Sequence, residues 1–257
     1  MRRNFSLSGV LLAAVVLAAL ILPGRSWAEV TCQANPALVR ITLGYHGLPV
    51  EIKGNSAPGD DVIVKVSSLP EDLHLKYKGK AGGIFWMKLG TLIFKHAPSV
   101  YLLSSSSPIN TTLSPEIRGQ NIIGLDALQR RIEVSAEHGP LPPGDWFSQF
   151  LAFKERDKVY ASTEGNVTID PKGGYSLRLD WPYKAAPGKY KIEVYTAHHG
   201  MLTGSATSEM QVEMTGVVKQ ISDMSFNKRG TYGLIAIVVA LVVGFAVGNI
   251  FKGGGAH

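Results

Sequence analysis

One cysteine, Cys32, in a chain of 257 residues excludes an internal disulfide. No base or activating group surrounds it in sequence, so an idle or buried thiol is expected rather than a reactive one. A disulfide to another chain is the remaining alternative. Val30-Thr31 ahead of it lacks the small residue that a lipoprotein site places before its cysteine. Acidic residues are missing from both ends. Residues 1–28 hold Arg2, Arg3 and Arg25, residues 228–257 hold Lys228, Arg229 and Lys252, and neither stretch has an acid. Those six bases account for the formal charge of +6 and leave 20 acids matched by as many bases between them. A nucleic-acid-binding domain concentrates Lys and Arg on its folded part. Basic ends flanking a neutral middle instead suit anionic headgroups, so the bilayer is an expected partner and nucleic acid is not.

Catalytic and metal-binding constellations are also wanting. His198-His199 is the one histidine pair, and adjacent side chains on an extended segment point opposite ways. No Asp, Glu or Cys stands near it at a ligand spacing. Asp60-Asp61, Glu71-Asp72 and Asp157 lack the Gly-punctuated pattern of a calcium loop and read as solvated turns. Ser104–Ser107 has no nucleophile-elbow context and reads as a loop. The expectation is a protein without enzymatic activity, cofactor or metal, with a cryptic hydrolase or metalloenzyme as a minor alternative.

Charge is absent from one further stretch, and here the absence is informative. Tyr232–Phe251 (YGLIAIVVALVVGFAVGNIF) runs uncharged, with Asn249 its strongly polar side chain. At 1.5 Å per residue it makes about 30 Å of helix, the thickness of a bilayer's hydrocarbon core. It also lacks the polar stripe of a helix packed on a soluble core. A transmembrane helix is expected at 232–251. Within it Gly244 and Gly248 form a GxxxG step that permits close helix approach.

At the other end Met1-Arg2-Arg3 is a basic n-region, Val10–Leu22 an apolar h-region, and Ser26-Trp27-Ala28 a small-residue cleavage site. Residues 1–28 therefore read as a secretory signal peptide, with an uncleaved anchor as the alternative. Either way the following domain is exported, and a single crossing leaves residues 252–257 in the cytoplasm. Lys228 and Arg229 outside against Lys252 inside do not favour this orientation, but long domains translocate largely regardless of such counts.

Between these ends the chain reads as mostly β. Ala37–Leu43, Val50–Gly54 and Asp61–Val66 alternate with period two, and Ala57–Asp60 forms a turn. Gly83–Met87, Thr91–Lys95 and Ser99–Ser104 add strands, giving a first antiparallel β-sandwich domain over 29–109. Residues 110–158 switch to helical spacing at Ile122–Ile132 and Asp145–Lys158, with Asp145 as N-cap of the second helix, and form a small helical insert. Strands resume over 159–214 at Asn166–Ile169, Tyr175–Trp181, Lys189–Tyr195 and Glu209–Glu213. There Pro187, Gly188 and Tyr190 match a tyrosine corner, so this second β domain reads as immunoglobulin-like. Residues 215–231 form a juxtamembrane segment.

Lys76, Lys78 and Lys80, followed by Ile84-Phe85-Trp86, mix bases with aromatics and could bind an anion, a headgroup or a glycan. The plainer reading is a strand with a basic turn and Trp86 packed in the core.

Taken in order, the Gly47–Gly54 strand, Gly83–Met87, Ala97–Tyr101, Pro187–Tyr190 and Tyr232-Gly233-Leu234 resemble the Alph_Pro_TM family of bacterial transmembrane proteins. The resemblance implies a periplasmic domain on one C-terminal anchor in the inner membrane, with no catalytic residues to carry over. It also implies, by association, a neighbouring sulfite-exporter-type permease. The expected function is a membrane-anchored periplasmic accessory or interaction subunit of a membrane complex, with a membrane-protein partner. A periplasmic module binding a ligand, anion or glycan is the alternative.

Overall fold

The computed structural model describes residues 29–42, 44–81, 84–216 and 229–252. The expected signal peptide, most of the juxtamembrane segment and the end of the C-terminal tail lie outside these residues.

Among the described residues thirteen strands form three sheets. The first sheet orders β1 (Gln33–Asn35), β3 (Leu48–Asn55), β11 (Gly174–Trp181) and β10 (Thr168–Ile169). The second orders β2 (Leu38–Ile41), β13 (Met201–Met214), β12 (Gly188–His198), β4 (Asp61–Ser68), β7 (Tyr101–Ser105) and β9 (Tyr160–Glu164). The third is a long hairpin of β5 (Pro70–Ala81) and β6 (Phe85–Pro98), flanked by β8 (Glu133–Ala136). The segments expected as two domains, 29–109 and 159–214, thus share both sandwich sheets. β3 pairs with β11 over eight positions, and β4 lies between β12 and β7. Neither segment can bury its apolar face without the other.

Pairing within the sandwich is mostly antiparallel, as the alternation implied. The pairs β13 with β2 and β7 with β9 run parallel instead. The sheets meet over one core that includes Val50, Ile52 and Leu177 from the first and Val62, Val64, Ile192 and Val194 from the second. Trp181 of the first sheet meets Tyr190 of the second edge-on at 4.7 Å. The Tyr190 hydroxyl donates to Ala186 O, four residues upstream.

The expected helical insert contains four helices and a strand. These are α1 (Ile109–Thr112), α2 (Pro115–Asn121), α3 (Leu125–Arg131), β8 and α4 (Trp146–Arg156). The helix expected from Ile122 begins only at Leu125. Ile122 caps α2 in a left-handed conformation at φ 52°, and Gly124 at φ 104° precedes α3. Asp145 caps α4 as its position implied, accepting from the Ser148 N–H at 3.1 Å. α4 docks through Phe150, which stacks on Phe94 at 4.4 Å and meets Tyr160 edge-on at 5.5 Å. Lys154 is buried one turn on, donating to Ser99 O and lying over the Phe150 and Tyr160 rings. A separate C-terminal helix, α5, spans Arg229–Lys252.

Trp181→Ala removes the largest side chain between the sheets and lowers stability by about 3–5 kcal/mol. Tyr190→Phe keeps the packing, loses one hydrogen bond and costs about 1 kcal/mol. Denaturant melts of the full-length protein in detergent measure both. Equal losses would mean that the hydrogen bond, rather than packing, joins the sheets.

Candidate functional site

Three surfaces carry the candidate residues. The first is the β5–β6 hairpin. β8 pairs with β6 from Leu92 to Lys95 and the Glu137 N–H donates to Thr91 O, so the strands beyond Thr91 towards the turn have no third strand beside them. Six residues at 3.3 Å each make an arm about 20 Å long. Register fixes its two faces. Lys78 lies opposite Lys88 and Lys80 opposite Trp86, and alternation along β5 adds Lys76 to that side. Met87 lies opposite Gly79 on the other side, where the Leu89 side chain occupies the space a Cβ on Gly79 would need.

Trp86 is not in the core. It is 70% exposed, beside Ile84 and Phe85 at 73% each. Alternation alone cannot distinguish a strand lying on the core from one running past its edge, and here the arm outruns the layer that would cover it. Lys80 lies 5.8 Å from the centre of the Trp86 ring. Nearer the body, Tyr77 meets Trp146 of α4 at 5.3 Å, so the arm's apolar side is covered at its base and bare at its end.

The second surface is a cleft of about 440 Å³ between the outer face of the second sheet and the insert. Its floor holds residues that sequence reasoning missed. Lys65 on β4 is 6% exposed and faces Glu193 directly across the β4–β12 pair. Its ammonium meets the Glu193 carboxylate at 2.9 Å and donates to Asn121 O at 2.6 Å. Tyr195 lies at 3.4 Å. Tyr101 bridges floor to wall, donating to Ile122 O at 2.8 Å and accepting from the Gly124 N–H at 3.0 Å.

Burial lowers the Lys65 pKa against the opposing pull of Glu193. Burial would raise Glu193, but hydrogen bonds from Lys191 and Lys65 outweigh it and hold that carboxyl below its ordinary value. Desolvation drives the Tyr101 and Tyr195 phenols well up, so both remain neutral donors. Two non-glycine residues with left-handed backbones, His96 at φ 57° and Ile122 at φ 52°, line this cleft. Such conformations cost on the order of 1–3 kcal/mol each and cluster at binding sites. Arg131 and Lys191 also line it, so bases outnumber Glu193.

The third surface is α5. Its described apolar side chains face outward, with Leu234 63%, Leu241 68% and Phe245 74% exposed. A Cβ on Gly244 or Gly248 would meet nothing within 4 Å, which leaves a smooth groove on one helix face. Among the described residues no helix is long and apolar enough to cross a membrane. The helical backbone of α5 extends over 24 residues.

The remaining sequence candidates are dispersed. His198 and His199 do not point apart, because His199 leaves the strand at φ 49° and the two rings pack 4.1 Å apart. His198 lies 3.5 Å from Asp60, whose carboxylate accepts from Thr203. No group of three metal-ligating side chains occurs among the described residues. Asp61 accepts from Ser106 and Ser107, and Asp157 pairs with Lys184 at 2.6 Å.

Glu193→Gln leaves the buried Lys65 ammonium without its counter-charge and costs about 3 kcal/mol. The sign of the pH effect follows from the lowered Glu193 pKa. Its contribution is complete above the unfolded value of 4.5 and is lost as pH falls through the lower folded value. Melts from pH 7 to pH 3 therefore fall less steeply for Glu193→Gln than for the parent chain.

No curated protein and no solved structure matches this chain. The profile of the family described as "Putative transmembrane protein (Alph_Pro_TM)" matches residues 29–253, which takes in both sandwich sheets, the insert, the hairpin and α5. The chain belongs to the Alph_Pro_TM family.

Proposed function

We propose that this protein is a non-enzymatic accessory subunit, exported to the periplasm of a bacterium and tethered in the inner membrane by α5. The observation that carries this reading is the outward-facing apolar surface of α5, interrupted by the open Gly244–Gly248 groove. Leucines, valines and a phenylalanine exposed to this degree are stable only against lipid or another apolar surface. The uncharged Tyr232–Phe251 run, about 30 Å as helix, supplies the length for one crossing. A small-residue groove admits a neighbouring helix closely enough for backbone-to-backbone packing. The partner is thus a membrane protein, with a sulfite-exporter-type permease as the candidate by association.

Affinity purification of the full-length protein from native membranes in mild detergent tests this reading. A stoichiometric integral membrane partner co-purifies with the parent chain and is lost with Gly244→Leu/Gly248→Leu. Recovery of the parent chain alone and monomeric would overturn the reading.

The cleft beside Lys65 favours a second reading, a periplasmic module for a small anionic or glycan ligand. Its volume suits such a ligand, and strained backbone at His96 and Ile122 holds its rim. Under this reading one member of an anion and glycan panel raises the melting temperature of the parent chain, and Arg131→Ala abolishes the rise. An unmoved melting temperature across the panel would remove it.

A further inference from the structure

The far half of the β5–β6 hairpin is amphipathic in an unusual way for a strand pair beyond its core. One side carries Lys76, Lys78, Lys80 and Lys88 with Trp86, and all five are exposed. The other side carries Met87 and Leu89, 50% and 49% exposed, and the end of the arm presents Ile84 and Phe85. No Asp or Glu occurs in sequence from Leu73 to Pro115, so the arm's own charge is wholly positive. The acids that approach the hairpin do so at its base, Glu133 beside Lys95 and Glu137 beside His74, each at 3.9 Å. Among the described residues the four lysines of the arm have no ion-pair partner.

We infer that this arm is a second membrane contact, inserting Ile84, Phe85, Trp86 and Met87 into the interface of a bilayer with anionic headgroups. The chemistry distinguishes lipid from a protein occupant. Lysine is depleted from the cores of protein interfaces, yet here four lysines alternate with the apolar residues within one short arm. Aromatic side chains with an apolar body favour the boundary between headgroup and acyl chain. Lysines a few ångströms back from them extend their ammonium groups to phosphates while their stems remain among apolar atoms. Positive charge near an anionic leaflet adds attraction that falls off within a Debye length, so the arm is drawn in when its end touches the surface. Hydrogen bonds between β5 and β6 satisfy much of the backbone as the end enters a less polar layer. The inference stands apart from the role of α5, since a chain without a spanning helix would still carry this arm.

The test uses the full-length chain with Cys32→Ala and Phe85→Cys, labelled with the environment-sensitive dye NBD and reconstituted in vesicles. The vesicles contain phosphatidylcholine and phosphatidylglycerol in a 2:1 ratio. A reference label replaces the exposed Glu209 on β13. The expected result is a blue-shifted emission at position 85 that doxyl-labelled lipid quenches, with the label at 209 in water and unquenched. Changing Lys76, Lys78, Lys80 and Lys88 to Glu returns the label at 85 to water in the same vesicles. Emission at 85 that remains aqueous overturns the inference. A blue shift that doxyl lipid does not quench also overturns it and identifies a protein occupant, such as a second copy of the chain. Quenching that persists in pure phosphatidylcholine and in the four-Glu variant refutes the role of the lysines. Hydrogen exchange of the unlabelled parent chain guards against a folding defect in the variants, with residues 84–89 slowed in anionic vesicles relative to detergent. Carbonate extraction of the same vesicles reports the α5 anchor separately.

Discussion

The Lys65 ammonium sits near the middle of the second sheet and must be matched from several sides to remain there. A buried charge without partners would cost several kcal/mol. Glu193 supplies the opposite charge from the neighbouring strand, and Asn121 O supplies an acceptor from the end of α2. Tyr195 stands beside it, and Tyr101 on the adjoining strand binds Ile122 O and the Gly124 N–H. The insert is therefore tied to the sheet by polar bonds at one end and by the Phe94–Phe150–Tyr160 cluster at the other. Ile122 adopts its left-handed backbone where its carbonyl must meet Tyr101. The cleft is the space left between these two attachments.

The same insert determines where the hairpin stops being core. α4 covers the base of β5 and β6 through Trp146 and Phe150 against Tyr77 and Phe94. β8 adds one short flanking strand and ends at the register of Leu92. Beyond that level no third strand flanks the pair, and Trp146 against Tyr77 is the last cover before the residues change from Leu75 and Phe94 to lysines on one side and Met87 and Leu89 on the other. α5 and the arm are thus two apolar surfaces of different kinds. The helix is apolar all round from Leu234 to Val247, whereas the arm is apolar only at its end and along one side.

Much of the local architecture was legible in the sequence. Period-two runs marked β3, β4, β11 and β12, and Asp145 ahead of an apolar helical stripe marked α4 with its cap. The uncharged 232–251 run marked a long apolar helix. Lys65 was not legible, because in Asp61–Val66 it falls on the side with Asp61, which reads as the solvent face of an antiparallel strand. Its burial depends on α2, more than fifty residues further on. Trp86 failed for the converse reason. A tryptophan in an alternating strand reads as core, and only the end of β8 shows that no layer reaches it.

By itself the sequence determined the β-rich class, the helical insert and the apolar C-terminal helix. These follow from propensity and from repeats of two or about 3.6 residues, which are set by neighbours within a few positions. Tertiary structure alone decided that the two β segments build one sandwich, that Lys65 and Glu193 are buried partners and that the lysine-rich hairpin projects. Each of those depends on which distant segment covers a given face, and a strand's own residues constrain its covering layer only weakly.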